Sequence, residues 1–79
     1  MFYTYILRSL KDHSLYVGYT NDVQRRFIEH KQGKVISTKS KMPFELCGYF
    51  ACQSSKKASD LEKYFKSGSG KAFIHKHLS

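Results

Sequence analysis

The chain predicts a small α+β domain with its elements in the order β-β-α-β-α-α. Two short runs rich in aromatic and β-branched residues, 2–8 and 15–20, are separated by a polar stretch and read as a hairpin. Two stretches with helical spacing of apolar residues follow, and a Pro-led apolar run lies between them. At 79 residues, all of it is expected to form a single domain, 1–79.

Taken in order, Phe2 to Arg8 suits a strand, Ser9 to Ser14 a hairpin loop and Leu15 to Thr20 the returning strand. Pairing Tyr5 opposite Tyr16 puts both hydroxyls on one face and Gly18 opposite Tyr3, where the missing side chain leaves a notch for a ligand or backbone. Thr20 or Asn21 can cap the next helix, and Asn21 with Gln24 has capping-box form. That helix runs to Lys31 or Gln32 and stops at Gly33, and Lys34 to Met42 reads as loop. Pro43 opens a third strand, Glu45 to Cys52. Ser54 or Ser55 caps a helix that ends at the Ser67-Gly68-Ser69-Gly70 break, and Lys71 to Leu78 forms a last short helix.

Composition narrows the partner. A domain this small buries only about 60–65% of its unfolded surface, and twelve Phe and Tyr residues supply large apolar areas to its core. The net charge is +8, and 25–41 holds six basic residues against one acid, Glu29. A lysine-rich solvated surface is the plain reading; a phosphate-rich partner, DNA or RNA, is the sharper one. Cys47 and Cys52, five apart on a strand, should face opposite ways and stay free, which fits a reducing compartment. No apolar stretch approaches the length of a membrane span, and the start has no basic leader, so a soluble cytoplasmic protein is expected. His75-x-His77 has no second ligand pair to complete a zinc site.

Helical geometry sorts the polar residues. With Val23 at zero and about 100° per residue, Phe27 falls near ~40°, His30 near ~340°, Arg26 near ~300° and Arg25 near ~200°. Arg26 and His30 therefore share the apolar side, and Arg25 points away. Two readings stand for each: Arg26 snorkels at the core edge or faces a cleft, and His30 is a hydrogen-bonded core histidine or a functional one. On the later helix Ala58, Leu61 and Phe65 form a stripe flanked by Glu62. Glu62 either closes a Ser59-x-x-Glu62 capping box or serves as a carboxylate ligand.

An ordered set emerges: Tyr3-Thr4-Tyr5, then Tyr16-Val17-Gly18-Tyr19-Thr20-Asn21-Asp22, Arg26-x-x-x-His30, Gly33, Pro43, and Ala58 with Glu62 and Lys66. Over nearly the whole chain this resembles the GIY-YIG nuclease superfamily, and in particular its small stand-alone bacterial members related to the excinuclease C-subunit nuclease domain. The resemblance implies a three-stranded antiparallel sheet flanked by helices, with the site on one sheet face. It implies a DNA endonuclease using one divalent ion, Mg²⁺ or Mn²⁺, in repair or recombination. Carried over, Tyr16 is the general base or water-positioning residue, Tyr5 its companion, Arg26 the phosphate clamp, His30 the proton-transfer aid and Glu62 the metal ligand. Arg25, Lys31, Lys34, Lys39, Lys41, Lys66 and Lys71 are the expected nucleic-acid contacts. The first motif has Tyr3 and Thr4 where the family name has Gly and Ile, and the last helix lacks an asparagine. The larger members' separate DNA-binding domain is not expected here, which implies low specificity or targeting borrowed from a protein partner. The alternative on the same fold is a nucleic-acid-binding module with little or no cleavage.

Overall fold

The computed structural model describes residues 1–78; Ser79, the end of the expected domain, lies outside them. The elements are β1 (Phe2–Ser9), β2 (Leu15–Thr20), α1 (Val23–Lys31), α2 (Ile36–Lys39), β3 (Phe44–Cys52), α3 (Ser55–Lys66) and α4 (Gly68–His77). The three strands form one antiparallel sheet in the order β2-β1-β3, an α+β fold as expected. The one addition is α2, a single turn inside the segment read as loop. Four residues are too few to show a helical period.

Alternation along β1 divides the core in two. Ile6 and Val17 face α3 and α4, where they join Phe65 and Ile74. Tyr5 and Leu7 face the other way, joining Phe44 and the α1 residues Val23 and Phe27. The Thr4 hydroxyl donates to the Ala58 carbonyl at 2.7 Å and ties α3 to the central strand.

The hairpin register differs from the expected one by two residues. Tyr5 pairs with Gly18, Leu7 with Tyr16 and Tyr3 with Thr20. The turn decides this. The Ser9 hydroxyl oxygen accepts from the Lys11 and Asp12 amides, and His13 takes a left-handed conformation (φ 64°), so Ser9 closes on Ser14 and the loop is short. A two-residue slip preserves facing, so both tyrosines remain on one side. A bulge in β3 leaves Cys47 between Leu46, opposite Leu7, and Gly48, opposite Ile6. Cys47 therefore packs on the Ile6 face, the face also taken by Cys52 through its pairing with Phe2; both cysteines are free, but not on opposite faces.

The N-cap of α1 is Asp22, whose side chain accepts from the Arg25 amide, rather than Thr20 or Asn21. The Asn21 side chain instead accepts from the Arg25 guanidinium at 3.1 Å. Gly33 follows α1 at φ 72°, the left-handed stop expected there. Ser54 caps α3, which removes the capping-box reading of Glu62: the helix is already a full turn old at Ser59. α3 ends at Lys66 with the break at Ser67, as expected, but Ser67 also caps α4, which starts at Gly68 rather than Lys71. Gly70 is needed there, because a methyl would overlap the Tyr64 carbonyl and the Phe65 backbone.

Candidate active site

The α1 side of the sheet brings four of the expected residues together. Tyr5 and His30 are buried, and Tyr16 and Arg26 border them at the surface. Tyr16 and His30 ring centroids lie 5.1 Å apart, and those of Tyr5 and Tyr16 6.2 Å. The helical wheel thus placed both Arg26 and His30 correctly, with Arg25 exposed.

Hydrogen bonds give this group a direction. The Tyr5 hydroxyl lies 3.0 Å from His30 Nε2, and His30 Nδ1 lies 2.8 Å from Thr38 Oγ1. The Thr38 hydroxyl in turn donates to the Val35 carbonyl at 3.3 Å. Burial pushes the Tyr5 phenol up to about 12, against the opposing pull of the Arg26 guanidinium beside it. Burial, and then the Arg26 charge, hold His30 below its ordinary value, so it is a neutral imidazole at neutral pH. Tyr5 is therefore a protonated phenol with a neutral imidazole behind it.

The tip of the Tyr5 ring fills the notch left by Gly18. A methyl at Gly18 would stand 2.6 Å from the Tyr5 hydroxyl oxygen and 3.2 Å from Tyr16 Cε2. The notch exists, but the register moves it opposite Tyr5, and a side chain of the protein occupies it rather than a ligand.

Arg26 forms an ion pair with Glu29 at 3.0 Å, both side chains partly exposed. Such a pair is weak, about 0.2–1 kcal/mol, and readily exchanged for a phosphate. Glu29, read from the sequence only as a lone acid, thus holds Arg26 in place through an i,i+3 spacing visible in the chain. Thr38 was missed altogether, because its partner is eight residues away and its helical turn gives no pattern.

Glu62 belongs to the other layer. It lies on α3, which packs against the opposite sheet face, with its carboxylate on Lys66 Nζ at 2.7 Å and its side chain 19% exposed. Lys66 and Lys71 share a cleft of about 340 Å³ with Leu15, Tyr16, Val17 and Phe65. The expected residues therefore straddle the edge strand β2: Tyr5, Arg26 and His30 on one side, Glu62 on the other, and Tyr16 on the strand itself. A site confined to one face does not describe this.

The other expected cations divide. Arg25 and Lys34 line a groove with Glu29 and Gln32. Lys31 lies over the Phe27 ring at 5.5 Å, and Lys41 is paired with Asp12 at 2.9 Å across the hairpin loop. Lys39 sits on α2 against Gly33.

Among the described residues no three His, Cys, Asp or Glu side chains converge on a metal position. Glu62 offers a single carboxylate, too little for a closed cage. It suits a Mg²⁺-type ion that takes its remaining ligands from phosphate oxygens and water. Among the described residues no helix is long and apolar enough to cross a membrane.

Comparison with known proteins identifies the family. The GIY-YIG catalytic domain description matches residues 1–76. A UPF0213 protein of Bacillus licheniformis is 42% identical over 66 residues, covering 81% of this chain and 66% of that protein. UPF0213 protein YazA of Bacillus subtilis is 40% identical over 57 residues, covering 71% and 58%. The solution NMR structure of UPF0213 protein BH0048 from Bacillus halodurans aligns with a TM-score of 0.57 at 38% identity, over 96% of this chain and 84% of that one. The matched region spans 57–66% of the length of the first curated relatives. A family match over nearly the full chain, together with relatives near 40% identity, places the chain in the GIY-YIG catalytic domain family, a family of nucleases.

Proposed function

We propose that the chain is a metal-dependent endonuclease that hydrolyses DNA phosphodiester bonds, selecting by structure or with little sequence preference. The observation that carries this reading is the gathering of Tyr5, Tyr16, Arg26 and His30 at the β2 edge, with Lys66, Lys71 and the Glu62 carboxylate across it. Arg26 exchanges Glu29 for the non-bridging oxygens of the scissile phosphate, where a guanidinium fork binds two oxygens at once. Tyr16, half-buried at the strand edge, orients the attacking water; as its P–O bond forms and the bond to the leaving oxygen breaks, the water's proton passes through solvent to that oxygen. Tyr5 does not remove the proton itself, because burial keeps its phenol protonated; it orders Tyr16 and Arg26 from behind. With Lys66 turned to the phosphate backbone, the Glu62 carboxylate would be the residue to hold a divalent ion, which would neutralise charge on the phosphate and leaving oxygen. The exposed cations of α1 and the segment after it supply sequence-independent affinity. The free cysteines suit a reducing compartment such as the cytoplasm.

A second reading, a binding module without cleavage, is favoured by one feature: Arg26 and Glu62 are both already paired, with Glu29 and Lys66. Linear and branched DNA incubated with wild type and Glu62→Gln, in Mg²⁺ and in Mn²⁺, separates the two. The nuclease reading expects cutting by wild type and none by Glu62→Gln, with binding retained in both. Equal cutting by both variants removes Glu62 from the site. Binding without cutting by wild type leaves the module.

A further inference from the structure

We infer that Thr38 is a positioning residue that fixes the imidazole tautomer of His30, and through it the direction in which the Tyr5 hydroxyl donates. The effect on cleavage rests on the nuclease reading above; the tautomer itself does not.

The side chains concerned are all buried, at 2% exposure or less, so water does not supply alternatives. A threonine hydroxyl has one proton, and here the Val35 carbonyl, which can only accept, takes it at 3.3 Å. Thr38 Oγ1 is then left as an acceptor for His30 at 2.8 Å, which requires the proton on Nδ1. A neutral imidazole with Nδ1–H presents a bare lone pair at Nε2, so the Tyr5 hydroxyl must donate along its 3.0 Å contact. The chain of donation runs one way, from Tyr5 through His30 and Thr38 to a backbone carbonyl. No heavy atom need move for the order to be lost: with the opposite tautomer, Nε2–H would take the Tyr5 oxygen as its acceptor and turn the phenol proton away from the imidazole, toward the side where the Arg26 charge lies.

Thr38→Val keeps the shape and removes the acceptor. Nδ1–H would then be buried without a partner, so the imidazole should move its proton to Nε2. Thr38→Ser keeps the hydroxyl. Long-range ¹H–¹⁵N correlation spectra of ¹⁵N-labelled protein report the tautomer directly, with His30 assigned by loss of its signals in His30→Gln. Wild type and Thr38→Ser should show Nδ1 protonated and Nε2 bare, and Thr38→Val should show Nε2 protonated in all or much of the population. Cleavage should fall about tenfold or more in Thr38→Val through kcat, as when other groups that orient a functional side chain are lost, and recover in Thr38→Ser. Wild-type His30 protonated at Nε2 overturns the inference, and so does a Thr38→Val protein that keeps Nδ1–H. If Thr38→Val does not fold, the wild-type and Thr38→Ser spectra still decide. If wild type cleaves nothing, the nuclease reading fails and the spectra continue to test Thr38.

Discussion

Gly18→Ala should be among the most damaging single-methyl additions to this chain. The new methyl would lie 2.6 Å from the Tyr5 hydroxyl oxygen and 2.8 Å from its Cζ, where ordinary contact begins at 3.4 Å. Tyr5 must therefore retreat by about 0.8 Å or the β1–β2 ladder must open. The ring has little room: it is 2% exposed, lies against Tyr16 and His30, and is anchored at its hydroxyl. Overpacking of this kind costs about 1–3 kcal/mol. Loss of the Tyr5–His30 hydrogen bond would leave a buried ring nitrogen unsatisfied, adding about 1–3 kcal/mol if the bond breaks fully. Against this, alanine restricts the unfolded chain and returns about 0.4–1 kcal/mol. With the bond fully broken a net loss of about 1–5.6 kcal/mol remains, and at about 4–8 °C per kcal/mol for a domain of this size the melting temperature falls by about 4 °C or more. Gly48→Ala is the control, since its methyl would meet only the Leu78 methyls at 3.7–3.8 Å. Thermal melts and urea titrations followed by circular dichroism compare the two. If Gly18→Ala melts within about 2 °C of wild type, the close approach of Tyr5 is not a constraint, and the packing described here is wrong.

Arg26→Ala should abolish cleavage while leaving the fold intact, because its pair with Glu29 is worth about 0.2–1 kcal/mol; Arg25→Ala, exposed on the far side, should only weaken DNA binding. Equal loss of cleavage in the two variants would contradict the placement of Arg26. His30 has a folded pKa below its ordinary value of about 6.5, so the unfolded state binds a proton there that the folded state refuses. Stability should fall as pH drops below about 6.5 and level off once the folded pKa is passed, with a slope of at most about 1.4 kcal/mol per pH unit from this group. Urea midpoints between pH 7 and 5 should show a shallower slope in His30→Gln; parallel slopes would mean that His30 is not held neutral. DNA affinity should fall steeply from low to physiological salt, as the +8 charge requires, and a salt-independent constant from filter binding would remove the electrostatic account.

The strands, α1 and α3 were legible because each announces itself locally: aromatic and β-branched runs, a serine ahead of α3, Gly33 behind α1. Details that depend on a partner elsewhere in the chain were not. Asn21 and Asp22 are both good caps, and the choice between them falls to Asp22 because Asn21 engages the Arg25 side chain. The hairpin register hangs on the Ser9 hydroxyl and the left-handed His13, and the facing of Cys47 on a bulge that no alternation pattern reveals. In the candidate site, Arg26, His30 and the flank position of Glu62 followed from helical geometry. The role of Gly18 requires knowing which ring tip crosses it, and that of Thr38 requires a fold in which residue 38 returns to residue 30.

Because the candidate residues reach β2 from helices on opposite faces of the sheet, neither layer alone can assemble them. A partly folded chain with only the hairpin and α1 in place would gather Tyr5, Tyr16, Arg26 and His30 but not Glu62, and one with only the hairpin, α3 and α4 would hold Tyr5, Tyr16 and Glu62 but neither Arg26 nor His30. The hairpin is common to both halves, and its strand β2 is an edge, supported by one neighbour. The gathering of the candidate residues is thus a property of the finished fold and depends on the integrity of the whole sheet and both its helical layers rather than on any one segment.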